Sequence, residues 1–140
     1  MMRIVLDTNC LLQILPKRSP WHTVWERICD GSISLCVSEE ILLEYEEILA
    51  RKTSPAVASG AVNRIKALSH TIYAEPFFRF NLITSDPDDN KFVDVCLAAG
   101  AMFLVSDDQH FAVLNTIEFP RVTVLTLPGF CALQEFRTSY

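Results

Sequence analysis

Apolar positions along the chain follow two rhythms. Short, nearly unbroken runs occur at Arg3 to Leu6, Ser34 to Val37, Met102 to Val105 and Val122 to Leu125. Turn-forming residues bound them, as Asp7-Thr8-Asn9 bounds the first, so each is read as a buried strand. Elsewhere apolar residues recur at three- and four-residue spacing, which predicts helices. These run from Cys10 to Leu15, from about Pro20 to Cys29, from Ser38 to about Ala50, and from Pro55 to about Leu68. Three more run from Asp86-Pro87-Asp88 through Ala99, from Asp108 to Leu114, and from about Pro128 to Phe136. Ser19-Pro20 and Ser38 are helix starts, while Pro16, Asp30-Gly31 and Gly100 are stops. Ile72 to Ile83, with Phe77, Phe78 and Phe80, is read as a short strand followed by a loop.

Continuous apolar strands that alternate with helices indicate a sheet buried on both faces. The expected architecture is a three-layer α/β/α sandwich around a central, mainly parallel sheet. A length of 140 residues suits one domain over 1–140, with no internal repeat or linker.

Composition adds a compartment and one difficulty. No apolar run approaches the roughly 20 residues that cross a bilayer. An acid at Asp7, directly after so short an apolar run, is unlike a signal peptide. The five cysteines are odd in number and lack CxxC spacing, so they are expected to be reduced core thiols. A soluble, cytoplasmic protein is the expectation. The difficulty is a net charge of −5, which argues against tight, non-specific binding to nucleic acid. Acids gathered around metal ions would weaken that objection, because bound metal cancels part of their charge. The basic groups Lys17-Arg18, Arg51-Lys52 and Arg64 with Lys66 read as solvated surface.

Ligands of an open parallel sheet bind beyond the carboxyl ends of its strands. Asp7 follows the first strand, Asp107 and Asp108 follow the strand ending at Val105, and Asp86, Asp88 and Asp89 open the helix between them. Carboxylates crowded on one edge repel, and a hard divalent cation is their natural complement. At about 100° per residue, Asp89 shares a face with Phe92, Val93 and Cys96, which turns it toward the sheet, while Asp88 and Asp94 project elsewhere. Asp86 or Asp88 suits a helix cap. In the third helix, Glu44 and Glu46 flank the stripe Ile41, Leu42, Tyr45, Ile48 and Leu49, and the wheel leaves the choice between them open. Trp21 and Trp25, four residues apart, read as core or partner-facing. None of the four glycines forms a GxG loop for nucleotides. No Lys follows the Phe103 to Val105 strand, as a phospho-accepting α/β domain would require.

Four blocks resemble the PIN (PilT N-terminal) domain family. They are Val5-Leu6-Asp7-Thr8-Asn9, Ser38 through Glu44-Tyr45, Asp89-x-x-Phe92, and Leu104-Val105-Ser106-Asp107-Asp108. Their order and spacing match, and the likeness is closest to VapC-type toxins of toxin–antitoxin systems. The resemblance implies a ribonuclease dependent on Mg²⁺ or Mn²⁺, with an RNA substrate, an antitoxin protein as partner and a possible homodimer. It places the acids at Asp7, Glu44, Asp89 and Asp108, with Asp7, Asp89 and Asp108 on the metal. Supporting polar positions fall on Thr8, Asn9 and Ser106. Lys17, Arg18 and Lys91 become candidates for holding the RNA backbone. Two features depart from the family pattern: Asp107 adds an acid, and His110 stands where an acid or Lys is common. A His there is expected to pack or face solvent. The alternative from another class is a catalytically silent PIN-fold binding module, which has no reason to keep four converging carboxylates.

Overall fold

The computed structural model describes residues 2–83 and 86–138. β1 (Met2–Leu6) lies at the centre of a five-stranded sheet in which every pair is parallel. β2 (Ile33–Val37) and β4 (Phe103–Val105) flank it, with Ile4 opposite Leu35 and Leu6 opposite Val105. β3 (Ile72–Tyr73) and β5 (Val124–Leu125) are the edges, giving the order β3-β2-β1-β4-β5. The helices are α1 (Thr8–Ile14), α2 (His22–Asp30), α3 (Glu39–Lys52), α4 (Pro55–Ala67), α5 (Asn90–Ala99), α6 (Gln109–Ala112) and α7 (Leu127–Thr138). The result is the expected three-layer α/β/α sandwich. Ile4, Val5, Leu6, Leu35 and Val37 are fully buried, as continuous apolar strands under two helical layers must be.

Local chemistry explains most boundaries. Ser38 Oγ accepts from Ile41 N at 3.2 Å and Ser54 Oγ from Val57 N at 3.1 Å, which starts α3 and α4. α2 ends at Gly31, whose φ of +92° disfavours any side chain. The helix expected from Asp86 opens instead as a 3₁₀ turn, Pro87–Asp89. Pro87 has no N–H to give, and Asp86 Oδ1 takes the Asp88 amide at 3.3 Å, so the first turn tightens. The expected strand from Val122 narrows to Val124–Leu125, where Asn115 bonds both the N–H and the C=O of Val124.

Among the described residues no cysteine forms a disulfide, and Cys10, Cys36 and Cys96 are buried. Trp21 and Trp25 are half-buried against the core. Among the described residues, no helix is long and apolar enough to cross a membrane.

The wheel turned Asp94 off the Asp89 face, and the structure shows that this side of the helix is covered too. α5 is covered all along its first seven residues, and Asp94 is 1% exposed. The cover is the segment after β3: Phe80 N donates to Asp94 Oδ1 at 3.2 Å, leaving Phe77 and Phe78 outside. Asp94 Oδ2 is buried without a hydrogen-bond partner, and burial raises the carboxyl pKa above its usual value despite the Phe80 bond. A raised acid pKa adds stability below the unfolded value, and that contribution is lost as pH rises through the folded value. Asp94→Asn is therefore expected to stabilise the protein by about 1 kcal/mol at pH 7 and by less near pH 4. Urea titrations at both pH values check this; an equal or larger gain at low pH contradicts it.

Candidate metal centre

Asp7 sits at the carboxyl end of β1, and three bonds hold it there. Its N–H donates to Val105 O at 3.1 Å, its Oδ1 accepts from Cys10 N at 2.8 Å to cap α1, and Ser106 Oγ donates to its Oδ2. Ser106 Oγ also accepts from Asp108 N at 3.0 Å, so one hydroxyl ties the ends of β1 and β4 together. Asp7 is 5% exposed. Burial raises its carboxyl pKa, against the lowering effect of the Ser106 and Cys10 bonds, and Asp107 adds to the rise. Behind it, Tyr45 Oη donates to Leu6 O and locks α3 to β1. Tyr45→Phe should cost about 1–2 kcal/mol of unfolding free energy, read by denaturant titration, because the buried carbonyl loses its donor.

Asp89, Asp108 and His110 each offer a ligand atom, and these atoms lie within 4.8 Å of one another. Asp89 ends the 3₁₀ turn, and its Oδ2 is buried with no hydrogen-bond partner. Burial first, then the negative charges of Asp86, Asp108 and Glu44, push its carboxyl up to about 6, while Lys91 opposes the rise. Asp108 caps α6 by accepting from His110 N at 2.9 Å, and its Oδ1 lies 3.4 Å from His110 Nδ1. A buried carboxylate oxygen without a donor, beside a second carboxylate, fits a hard divalent cation. His110 adds a softer nitrogen than such ions require.

Glu44, at the site edge of α3, has both carboxylate oxygens engaged. Lys91 Nζ lies 2.7 Å from Oε1, and Thr8 Oγ1 donates to Oε2. Glu46 is exposed, whereas Glu44 is half-buried among these groups. Lys91 also meets Asp88 Oδ2 at 3.0 Å and Asp88 O at 2.8 Å. Burial would lower its pKa, but the bonds to Glu44 and Asp88 outweigh that and raise it, which keeps it an ammonium.

A cleft of about 430 Å³ opens beside these groups, lined by Asp7, Asn9, Leu12, Gln13, Asp107 and Asp108. Asn9 is on its rim. Lys17 and Arg18 are exposed just beyond α1. Lys91, expected near the RNA surface, is instead 5% exposed and held by carboxylates. Asp107 has a tethering role: its Oδ1 accepts from Leu127 N at 2.7 Å, at the start of α7.

The structure thus brings Asp89 and Asp108 together and sets Asp7 beside Asp108 through Ser106. Glu44 and Asp7 lie outside the 4.8 Å set. His110 faces solvent, as expected, and also joins that set. Its sequence signals are its place two residues after a helix-capping acid and its standing where the family commonly has an acid or Lys. The Lys91 pairing was half legible, since Asp88 and Lys91 have the i, i+3 spacing at which helical side chains meet.

A parallel α/β sandwich with acids converging beyond β1 and β4 defines a class of domains with a carboxylate centre at the sheet edge. The PIN domain family model matches residues 3–110, and the chain belongs to that family. Two solved structures share the fold. One is VapBC2 from Rickettsia felis bound to a DNA fragment from their promoter, with a TM-score of 0.59, 15% identity, and coverage of 89% of this chain and 98% of that one. The other is DNA-bound VapBC from Salmonella typhimurium, with a TM-score of 0.53, 18% identity, and coverage of 91% and 99%. No curated protein matches the sequence.

Proposed function

We propose that this chain is a metal-dependent endoribonuclease and the toxin of a toxin–antitoxin pair. The observation that carries the reading is the partnerless buried Oδ2 of Asp89 beside Asp108 and His110, within a PIN domain. Asp89 and Asp108 would hold Mg²⁺ or Mn²⁺, with Asp7 as the third acid of the set. When bound, such an ion lowers the pKa of a coordinated water and offsets charge developing on a phosphate. The chain's own groups do the rest. Ser106 orients Asp7 and Asp108 together, so both face one cleft. Glu44, fixed by Thr8 and Lys91, would stand at the edge of the centre as the fourth acid of the set. Asn9 stands on the cleft rim within reach of a substrate strand. Lys17 and Arg18 supply exposed positive charge for the RNA backbone, compensating locally for the net −5.

The VapBC folds motivate the partner reading, because each of those structures contains DNA from or bound by the pair. By that analogy an antitoxin protein would bind this chain, and a homodimer is compatible with the same assembly. The test is cleavage of a mixed single-stranded RNA with Mn²⁺, Mg²⁺ or EDTA, for wild type beside Asp7→Asn and Asp108→Asn. Metal-dependent cutting that both substitutions remove is the expected result. Cutting that survives both would place the site elsewhere. No cutting by folded wild type would favour the silent binding module.

A further inference from the structure

Lys91 is the least expected member of the site. It is a lysine with 5% exposure on a helix next to carboxylates, where a contact to the RNA backbone was anticipated. An ammonium has three N–H donors. Three acceptors surround this one: Glu44 Oε1 at 2.7 Å, Asp88 Oδ2 at 3.0 Å and Asp88 O at 2.8 Å. Nothing of it remains for a phosphate. Glu44 is equally committed, with Oε2 bonded to Thr8. The acid set therefore divides in two. Asp89 and Asp108 face one another with an oxygen left unpartnered, whereas Glu44 and Asp88 already share a cation.

Two-metal phosphodiester sites place their ions about 3.5–4 Å apart and bridge them with carboxylates. A second ion here would need oxygens from Glu44, the half-buried acid on that side. We infer that the Lys91 ammonium occupies the second cation position of the centre, so that the protein binds a single divalent ion at Asp89 and Asp108. Lys91 is thus a positioning residue. It neutralises Glu44 and fixes that carboxylate, through a protein-borne charge that chelators cannot remove. The inference rests on the metal-site reading above and adds its stoichiometry and the reason for it.

Calorimetric titration with Mn²⁺ tests it directly, with electron paramagnetic resonance on the same samples. Wild type is expected to bind one Mn²⁺ per chain and give the spectrum of an isolated ion. Lys91→Met is expected to bind two and show spin coupling between neighbouring ions, while Lys91→Arg, which keeps the charge, stays at one. Lys91→Gln keeps an N–H donor toward Glu44 without charge and replaces Lys91→Met if that variant does not fold. A merely structural lysine predicts one ion in all folded variants, and that result overturns the inference. Two ions in wild type also overturn it, while leaving the nuclease reading intact. No Mn²⁺ binding in folded wild type removes the metal centre itself, and the inference with it.

Discussion

Asp89→Asn is expected to lose RNA cleavage by about a thousandfold, or roughly 4 kcal/mol of transition-state stabilisation. The metal-free variant should nonetheless unfold at a higher temperature than wild type. Both effects follow from one carboxylate. Its Oδ2 is buried without a donor, and burial with three acidic neighbours pushes it up to about 6. A folded-state value above the unfolded one means that the native state favours the protonated acid. The resulting stability is fully present below the unfolded value near 4, and it is lost as pH rises toward about 6. Above that pH the ionised Asp89 is a liability of about 1–2 kcal/mol after solvent screening, and the amide removes it. Saturating Mn²⁺ should reverse the order, because an ion at a hundred times its Kd stabilises the native state by about 2.7 kcal/mol, and only wild type binds it well. Melting in EDTA and in Mn²⁺, at pH 5 and pH 7.5, reads all four corners. A variant that melts below wild type in EDTA at pH 7.5 would show that Asp89 has a stabilising partner, and the site would need another account.

The second large effect is expected at Lys91. In Lys91→Met, Glu44 loses its counter-charge while remaining largely enclosed, and breaking a buried ion pair from one side costs about 3–5 kcal/mol. Glu44→Gln in the same chain removes the stranded charge, so the double variant should recover at least half of that loss. The coupling between the two substitutions, measured in a double-mutant cycle, is the quantity to determine. Simple additivity would mean that the 2.7 Å contact between Lys91 and Glu44 contributes nothing to stability.

Strands and acids were legible in the sequence for the same reason: each depends on local pattern. Ile4, Val5 and Leu6 form an unbroken apolar run ended by Asp7, and such a run needs helices on both faces. Asp89 could be turned toward the sheet because Phe92, Val93 and Cys96 share its face. Groups whose surroundings come from distant segments were less legible. That Asp94 is buried was not legible, because the wheel sees one helix and not the Phe80 segment laid over it. Glu44 and Glu46 flank the same stripe, and the helix pattern alone does not separate them, because the Thr8 and Lys91 that meet Glu44 come from other elements. Asp107 reads as one acid too many until Leu127, twenty residues later, donates to it.

The bond from Ser106 to Asp7 joins residues 99 apart in sequence, across the seam where β4 lies beside β1. That seam orders events during synthesis. β1, β2 and the first four helices can assemble as they leave the ribosome, but the central strand keeps an open edge until β4 emerges. The cleft, both of its β4-side acids and His110 are absent from every shorter nascent chain. The proposed ribonuclease would thus lack its acid set until about three-quarters of the chain has been translated, a delay set by the order of strands in the sheet.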